Sequence, residues 1–409
     1  MTATPRGFRP HFAIFGRRNV GKSTLFNLVA SQQASIVSPA AGTTTDPVEK
    51  AMEFIPLGPV LWIDTAGIDD AGDLGGLRAA RTKAIADRTD LAIIVFHPDW
   101  GEYEQELYAG FVRRDIPVVL VKNKTDCDRP DRNFAGLPEG AVLVRMAADR
   151  GDGLEALRAA IVAAIPAGIV ETPVLIRDLL PPGGVAVLVA PIDKEAPKGR
   201  LILPQVQTIR DLLDGDCRAV VTKEDGLAAA LADLRKHPDL VVTDSQVFGA
   251  VAAAVPPEVP LTGFSILFAR AKGDLAAFVR GAAAIGRLGD GDAVMVAESC
   301  AHHSEDDDIG RVKLPALVRK RSGAKPDFRF VSGHDFPDDL SGLALVLHCG
   351  ACMTNRRAVL SRIAQCHAAG VPITNYGVAI AYCLGLLERA LGPFPEALAA
   401  IGSGIRNCK

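Results

Sequence analysis

The chain has 409 residues, 48% of them hydrophobic and 23% charged, with a formal charge of −3 at pH 7. This composition describes a soluble globular protein, long enough for about three domains with full cores. The near-neutral balance makes no electrostatic case for a nucleic-acid partner, and no apolar run is long enough to span a bilayer.

The N-terminus, MTATPRGFRPHFAIFG, has no charged-then-apolar signal region with a cleavage site. Eight cysteines scattered over this length are no disulfide framework, so a reducing cytoplasm is the expected compartment. The first element is a buried strand over His11–Phe15. It runs into Gly16, Arg17, Arg18, Asn19, Val20, Gly21, Lys22, Ser23 and Thr24, which fit G-x-x-x-x-G-K-S in full. Backbone N–H groups of such a loop cradle phosphates at a helix N-terminus; Lys22 neutralises the β- and γ-phosphates and Ser23 ligates Mg²⁺.

A second strand, Val60–Ile63, ends in Asp64-Thr65-Ala66-Gly67, where Asp64 holds the Mg²⁺ shell and the Gly67 N–H meets the γ-phosphate. A third, Val118–Val121, ends in Asn123-Lys124-Thr125-Asp126. The Asp126 carboxylate accepts from guanine N1–H and the exocyclic amine together, a donor pair adenine lacks, so the base is guanine and the nucleotide GTP. Three such loops after three strands resemble the translation-factor-like GTPases of the Era and TrmE type. That resemblance places Thr44, in Ala41-Gly-Thr-Thr-Thr-Asp46, where switch I closes on Mg²⁺, and Asn19 where members of the group hold K⁺. It also puts Ile68 where Ras-like enzymes carry the glutamine that orients water. An isoleucine cannot orient water, so slow, potassium-stimulated hydrolysis is expected, with Lys22, Asn19, Thr44 and Gly67 as its catalytic groups. The guanine-contacting Ser-Ala pair of the group stands here as Ala147-Ala148, which leaves backbone N–H groups to meet guanine O6 and predicts weaker affinity.

A helix is expected over 153–165, and Glu171-Thr-Pro173 with Pro181-Pro182-Gly-Gly184 marks a boundary near 170. Strand and helix then alternate through 184–192, 205–213, 218–222, 226–235, 240–243 and 247–255, the pattern of a small parallel sheet with covering helices. Cys217 and His237 read as a core thiol and a surface imidazole. With large apolar content and no cluster of ligands, this segment is expected to be a dimerisation surface.

A proline-rich joint, Pro256-Pro257-Glu-Val-Pro260, opens the last third. Strands expected at 293–297, 328–331, 343–347 and 371–373 lead into loops rich in functional groups, two of which carry Cys300-Ala-His302-His303 and His348-Cys349-Gly-Ala-Cys352. Ligands collect outside the carboxyl ends of strands in open α/β sheets, so these loops converge. A CxxC pair alone fits a zinc half-site, a redox pair or two inert thiols, but no second CxxC closes a four-cysteine zinc site. Three thiolates fall one short of closing an iron–sulfur cluster by cysteine alone.

The loop RNVGKS, an undecorated middle domain, ESCAHHSEDDDIGRVKLP and LHCGACMTNRR together resemble the FeFe-hydrogenase maturation GTPases. The resemblance covers nearly the whole chain. It implies a three-domain homodimer whose last domain holds a 4Fe-4S cluster on Cys300, Cys349 and Cys352. It also implies that this domain accepts a two-iron precursor and passes it to apo-hydrogenase, alongside radical-SAM maturation partners. A fourth, exchangeable cluster site is open to His302, His303, His348, or an acidic residue of 305–308 such as Asp307 or Asp308. Arg311, Lys313, Arg356 and Arg357 either neutralise an anionic cluster or are plain surface charges. Cys366, Cys383 and Cys408 stay outside the site.

The fold expected is therefore α/β: a P-loop GTPase domain over 1–170, then two α/β domains with largely parallel sheets, for dimerisation over 171–260 and for the cluster over 261–409. Two other readings remain: an Era- or TrmE-like GTPase acting on tRNA or ribosomes, and a redox-sensing GTPase.

Overall fold

The computed structural model describes residues 4–31, 48–65, 75–127, 136–171, 173–192, 199–299, 309–333 and 336–401. The chain divides into two compact units, Met1–Thr172 and Pro173–Lys409. No helix of the described residues is long and apolar enough to cross a membrane.

The first unit is built on a six-stranded sheet in the order β2-β3-β1-β4-β5-β6. The strands are β1 (His11–Phe15), β2 (Val48–Phe54), β3 (Gly58–Asp64), β4 (Leu91–Phe96), β5 (Val118–Lys122) and β6 (Val142–Arg145). All neighbours run parallel except the hairpin pair β2 and β3. Every residue of β1 and β4 is buried because helices cover both faces of the sheet, and alternate side chains feed two cores. Phe12 and Ile14 join Trp62 on one face, where the Phe12 and Trp62 rings meet edge-on at 5.7 Å; Ala13 and Phe15 join Leu61 and Ile94 on the other. The motif reading does not reach β2 or β4, since neither ends in a phosphate or base motif. β4 is nevertheless visible as the continuous apolar run LAIIVF.

The second unit holds two sheets of four parallel strands. One contains β7 (Val185–Val189), β8 (Arg218–Thr222), β9 (Leu240–Thr243) and β10 (Leu261–Gly263), ordered β10-β9-β7-β8. The other contains β11 (Ala293–Glu298), β12 (Asp327–Ser332), β13 (Leu343–His348) and β14 (Ile373–Asn375), ordered β12-β11-β13-β14. The Pro256–Pro260 stretch, expected at a joint between sheets, lies inside the first of these two. Leu261 pairs with Val241 beyond it, so the sheet runs on past the prolines. The last strand starts at Ile373 rather than Val371, because the Val371 N–H is engaged by Cys366 O at the exit of the preceding helix.

One element joins the two sheets into a single body. The helix Phe264–Lys272 leaves β10 and is buried nearly all round, as an apolar helix without a polar face must be. It packs on the helix Leu203–Asp214 of its own sheet and on Arg356–Ala368 and Tyr376–Cys383 of the next.

Candidate functional site

The nucleotide loop sits between β1 and the helix Lys22–Ser31. Gly16 and Gly21 have φ of +143° and +96°, and each lies where a Cβ has no room. At Gly16 it would fall 2.1 Å from Val95 O on β4, and at Gly21 2.2 Å from Asn123 Nδ2. The two glycines therefore let the loop close on the sheet and on the guanine-specifying loop at once. Arg18, Asn19, Ser23 and Thr24 are exposed around the open helix N-terminus, and Asn19 is left-handed with φ +62°. Lys22 is 6% exposed and donates to the carbonyls of Gly16 and Arg17, both at 2.6 Å.

Ser23 Oγ donates to Asp64 Oδ2 at 2.6 Å, while Asp64 Oδ1 is buried with no donor among the described residues. Burial pushes the Asp64 carboxyl above its usual range, against the Ser23 hydrogen bond and the Lys22 charge. A carboxylate oxygen lacking a donor beside a serine hydroxyl is a donor set that suits Mg²⁺. On the guanine side, Asn123 is 2% exposed: its Nδ2 donates to Val20 O at 2.8 Å and its Oδ1 accepts the Ala148 N–H at 3.0 Å. Lys124 is left-handed (φ +58°), and Asp126 lies 3.4 Å from Arg150. In the Ala147-Ala148 loop, expected to offer backbone N–H groups to guanine O6, the Ala147 N–H donates to Asp152 O at 3.1 Å and the Ala148 N–H to Asn123 Oδ1. Arg17 makes a two-pronged ion pair with Glu104, a fully buried carboxylate on the helix Glu102–Arg113. Nothing in the motif announces that partner, which lies 87 positions on.

The cysteines stand at the carboxyl ends of adjacent parallel strands. β11 and β13 are paired through Ala297 and His348, so Glu298-Ser299 and Cys349 leave the sheet side by side. The Ser299 N–H donates to Cys349 Sγ at 3.1 Å, the Ala351 N–H approaches the same sulfur at 3.5 Å, and the thiol donates to Ser299 Oγ at 3.2 Å. Burial raises the Cys349 thiol, opposed by those bonds. Cys349 and Cys352 line one cavity of about 150 Å³ with Asp244, Ser265, Glu298 and Tyr376. Between the two cysteines Ala351 is left-handed (φ +53°) and 4% exposed, a costly backbone state of the kind that concentrates at functional sites. Sulfur receiving backbone N–H bonds suits a thiolate bound to iron. Among the described residues no group of three or more His, Cys, Asp or Glu could hold a metal ion.

His348 is fully buried. Arg362 Nη1 lies 2.9 Å from its Nε2, and a guanidinium only donates, so Nε2 accepts and Nδ1 carries the proton to Cys349 O at 2.8 Å. Burial, helped by the Arg362 charge, lowers its pKa to about 3. Both ring nitrogens are thus engaged, which removes His348 from the candidate fourth ligands in this arrangement. Cys300, His302, His303, Asp307, Asp308, Thr44, Gly67 and Cys408 lie outside the described residues. Arg311 pairs with Glu298 at 3.4 Å, Lys313 reaches Gln246, and Arg356 donates to Ala271 O at 2.7 Å, so these suspected cations are engaged by the protein itself. Burial pushes the Cys366 and Cys383 thiols up to about 12.

Residues that the sequence leaves unmarked also reach the cavity or the cysteine loop beside it. Asp244 and Ser245, at the end of β9, come from the segment that looked free of chemistry. Lys272, 1% exposed, donates to the carbonyls of Ala351, Cys352 and Thr354 at 2.8, 3.1 and 2.8 Å. Its burial pulls the ammonium down to about 7, opposed by Cys352 and Cys349. The position of Asp244 at a parallel strand's carboxyl end was the one available signal.

Three family models match the chain. They are described as a 50S ribosome-binding GTPase over 11–124, a hydrogen maturase F dimerization domain over 175–273, and a hydrogen maturase F tetramerization domain over 276–393. Among curated relatives, the tRNA modification GTPase MnmE of Burkholderia thailandensis is 35% identical over 150 residues, 35% of this chain and 32% of that protein. The GTPase Der of Rhizobium johnstonii is 38% identical over 162 residues, 37% of this chain and 33% of that protein. The chain thus spans about a third of the length of these relatives. A crystal structure of a point variant of Aquifex aeolicus Era bound to GDP·AlF₄⁻ aligns with TM-score 0.33 at 29% identity, covering 38% of this chain and 56% of that one.

Proposed function

The chain belongs to the hydrogen maturase F family, and from that premise we propose that it is a GTPase-coupled scaffold for assembling the FeFe-hydrogenase active site. Its first unit is a P-loop GTPase domain that hydrolyses GTP with Mg²⁺ held by Ser23, Asp64 and Thr44. Lys22 neutralises the phosphates and Asp126 selects guanine. With Ile68 unable to orient water, Asn19 would hold a K⁺ that would supply the missing positive charge, and turnover in potassium is expected to exceed turnover in sodium. Equal rates in the two salts would remove the Asn19 assignment. Its remaining segments self-associate, in line with the dimerization and tetramerization models they match.

In the second unit Cys300, Cys349 and Cys352 would hold a 4Fe-4S cluster, with a fourth site open to His302, His303, Asp307 or Asp308. When bound, the cluster offers one iron without a thiolate, where an incoming complex can attach and leave. The cargo is a two-iron precursor, taken from radical-SAM maturation partners and handed to apo-hydrogenase in the cytoplasm. A GTPase domain over 1–170, a dimerisation segment from 171 that carries on past 260 through β10 and its helix, and a cluster segment after it would separate these tasks. One observation carries the reading. The Ser299 N–H, one residue before Cys300, lands on Cys349 Sγ in the cavity that Cys352 shares. The segment leading to the third thiol therefore sets out beside the other two.

The test is activation of apo-hydrogenase by anaerobically reconstituted protein, with and without Cys300→Ala. Activation lost together with cluster absorbance supports the carrier; activation untouched by the substitution removes it. The alternative, action on tRNA or ribosomes, draws on the likeness of the first unit to MnmE and to GTPases described as ribosome-binding. A chain with charge −3 carries no basic excess for that role.

A further inference from the structure

The loop carrying Cys349 and Cys352 is folded around a cation that its own segment does not provide. Lys272 ends the helix Phe264–Lys272, which springs from the sheet β10-β9-β7-β8, while the loop follows β13 of the other sheet. An ammonium has three donors, and here three loop carbonyls, those of Ala351, Cys352 and Thr354, receive them within 3.1 Å. The loop returns the contact through Arg356, whose Nη1 donates to Ala271 O at 2.7 Å and Gly273 O at 3.3 Å, on either side of the lysine. Three carbonyls turned to one point force a tight curl, which matches the left-handed Ala351 between the two cysteines.

We propose that Lys272 is the positioning residue of the cysteine loop: its ammonium fixes the curl that presents Cys349 and Cys352 to one cavity, and its charge offsets the negative charge gathered there. The first half concerns the metal-free loop alone; the second rests on the cluster reading above. A fixed cation beside an iron–sulfur centre favours the more reduced, more negative state, so it raises the reduction potential. The control comes from the other sheet. Displacement of the helix relative to β13 would therefore alter the loop through its backbone carbonyls, without a contact to either sulfur.

The experiment uses full-length protein with Lys272→Met and Lys272→Arg. In the metal-free state, hydrogen–deuterium exchange over 349–356 is expected to speed up severalfold in Lys272→Met while β7 and β11 keep their protection, showing that the unit is folded. After anaerobic reconstitution with iron and sulfide, Lys272→Met is expected to hold less iron per chain and to titrate at a lower midpoint potential. Lys272→Arg, which keeps the charge, should lie nearer the wild type in potential. A purely space-filling lysine would move neither the potential nor its recovery by arginine. Unchanged exchange over 349–356 together with an unchanged potential would overturn the proposal. Should Lys272→Met not fold, Lys272→Gln, which keeps a donor without the charge, is read in the same two ways. Wild-type protein that binds no iron would sink the cluster reading, and the metal-free exchange data would still decide the role of Lys272 in the loop.

Discussion

At the scale of single residues, the two sites differ in how they keep charge and nucleophile in hand. Asp64 is 8% exposed with one oxygen lacking a donor among the described residues, and burial raises its pKa in the folded state. The sign follows: a raised folded pKa stabilises below the unfolded value near 3.8, and that contribution is lost as pH climbs through the folded pKa, so the carboxylate is a burden at neutral pH. Asp64→Asn should therefore raise the thermal midpoint of nucleotide-free protein and abolish Mg²⁺-dependent GTP turnover. A lowered midpoint would show the carboxylate to be structurally needed. Cys366 is fully buried with a thiol near 12, so native protein treated with iodoacetamide at neutral pH should leave it unmodified while exposed Cys127 reacts. Mass spectrometry of the digested product reads both positions at once.

At the scale of elements, loops at strand ends are tied to one another rather than to their own strands. Asn123 joins the guanine loop to the phosphate loop through Val20 O and to the Ala147-Ala148 loop through the Ala148 N–H. Asn123→Ala strands a buried carbonyl and a buried N–H, each costing about 1–3 kcal/mol. The expected result is a lower denaturant midpoint and GTP binding weaker by more than tenfold in titration calorimetry. Loss of affinity with unchanged stability would confine the role of Asn123 to the ligand. The NKTD motif is legible in the sequence but the structural duty of Asn123 is not, because its partners lie 103 and 25 positions away. The same blindness hid Glu104 behind Arg17 and Lys272 behind the CxxC loop, while buried strands such as β1, β5 and β13 are plain from their apolar runs.

At the scale of the whole molecule, nucleotide and cysteines belong to different compact units, the first ending at Thr172 and the second beginning at Pro173. Because Cys349 lies in a different compact unit from the phosphate loop, Cys349→Ser should alter basal GTP turnover by no more than about twofold, the scale expected of uncoupled sites. A larger loss would mean that the thiol pocket governs hydrolysis even in the metal-free protein. Within the second unit the division runs differently from the boundary expected at 260. The helix after β10 belongs to one sheet by connectivity and to the other by what it holds, since Lys272 grips the loop after β13.

The linear order of residues was enough for the parallel α/β class, the phosphate loop, the guanine-specifying motif and the suspicion that Cys349 and Cys352 share a site. Each of these rests on periodicity or on groups within a few positions of each other, and short-range spacing survives in a string of letters. Folding alone decided that Ser299 would meet the Cys349 sulfur, that both nitrogens of His348 would be occupied, and that a lysine from the neighbouring sheet would sit beneath the cysteine loop. Those outcomes depend on strand order and register, which bring distant segments to hydrogen-bonding range and which no local pattern encodes.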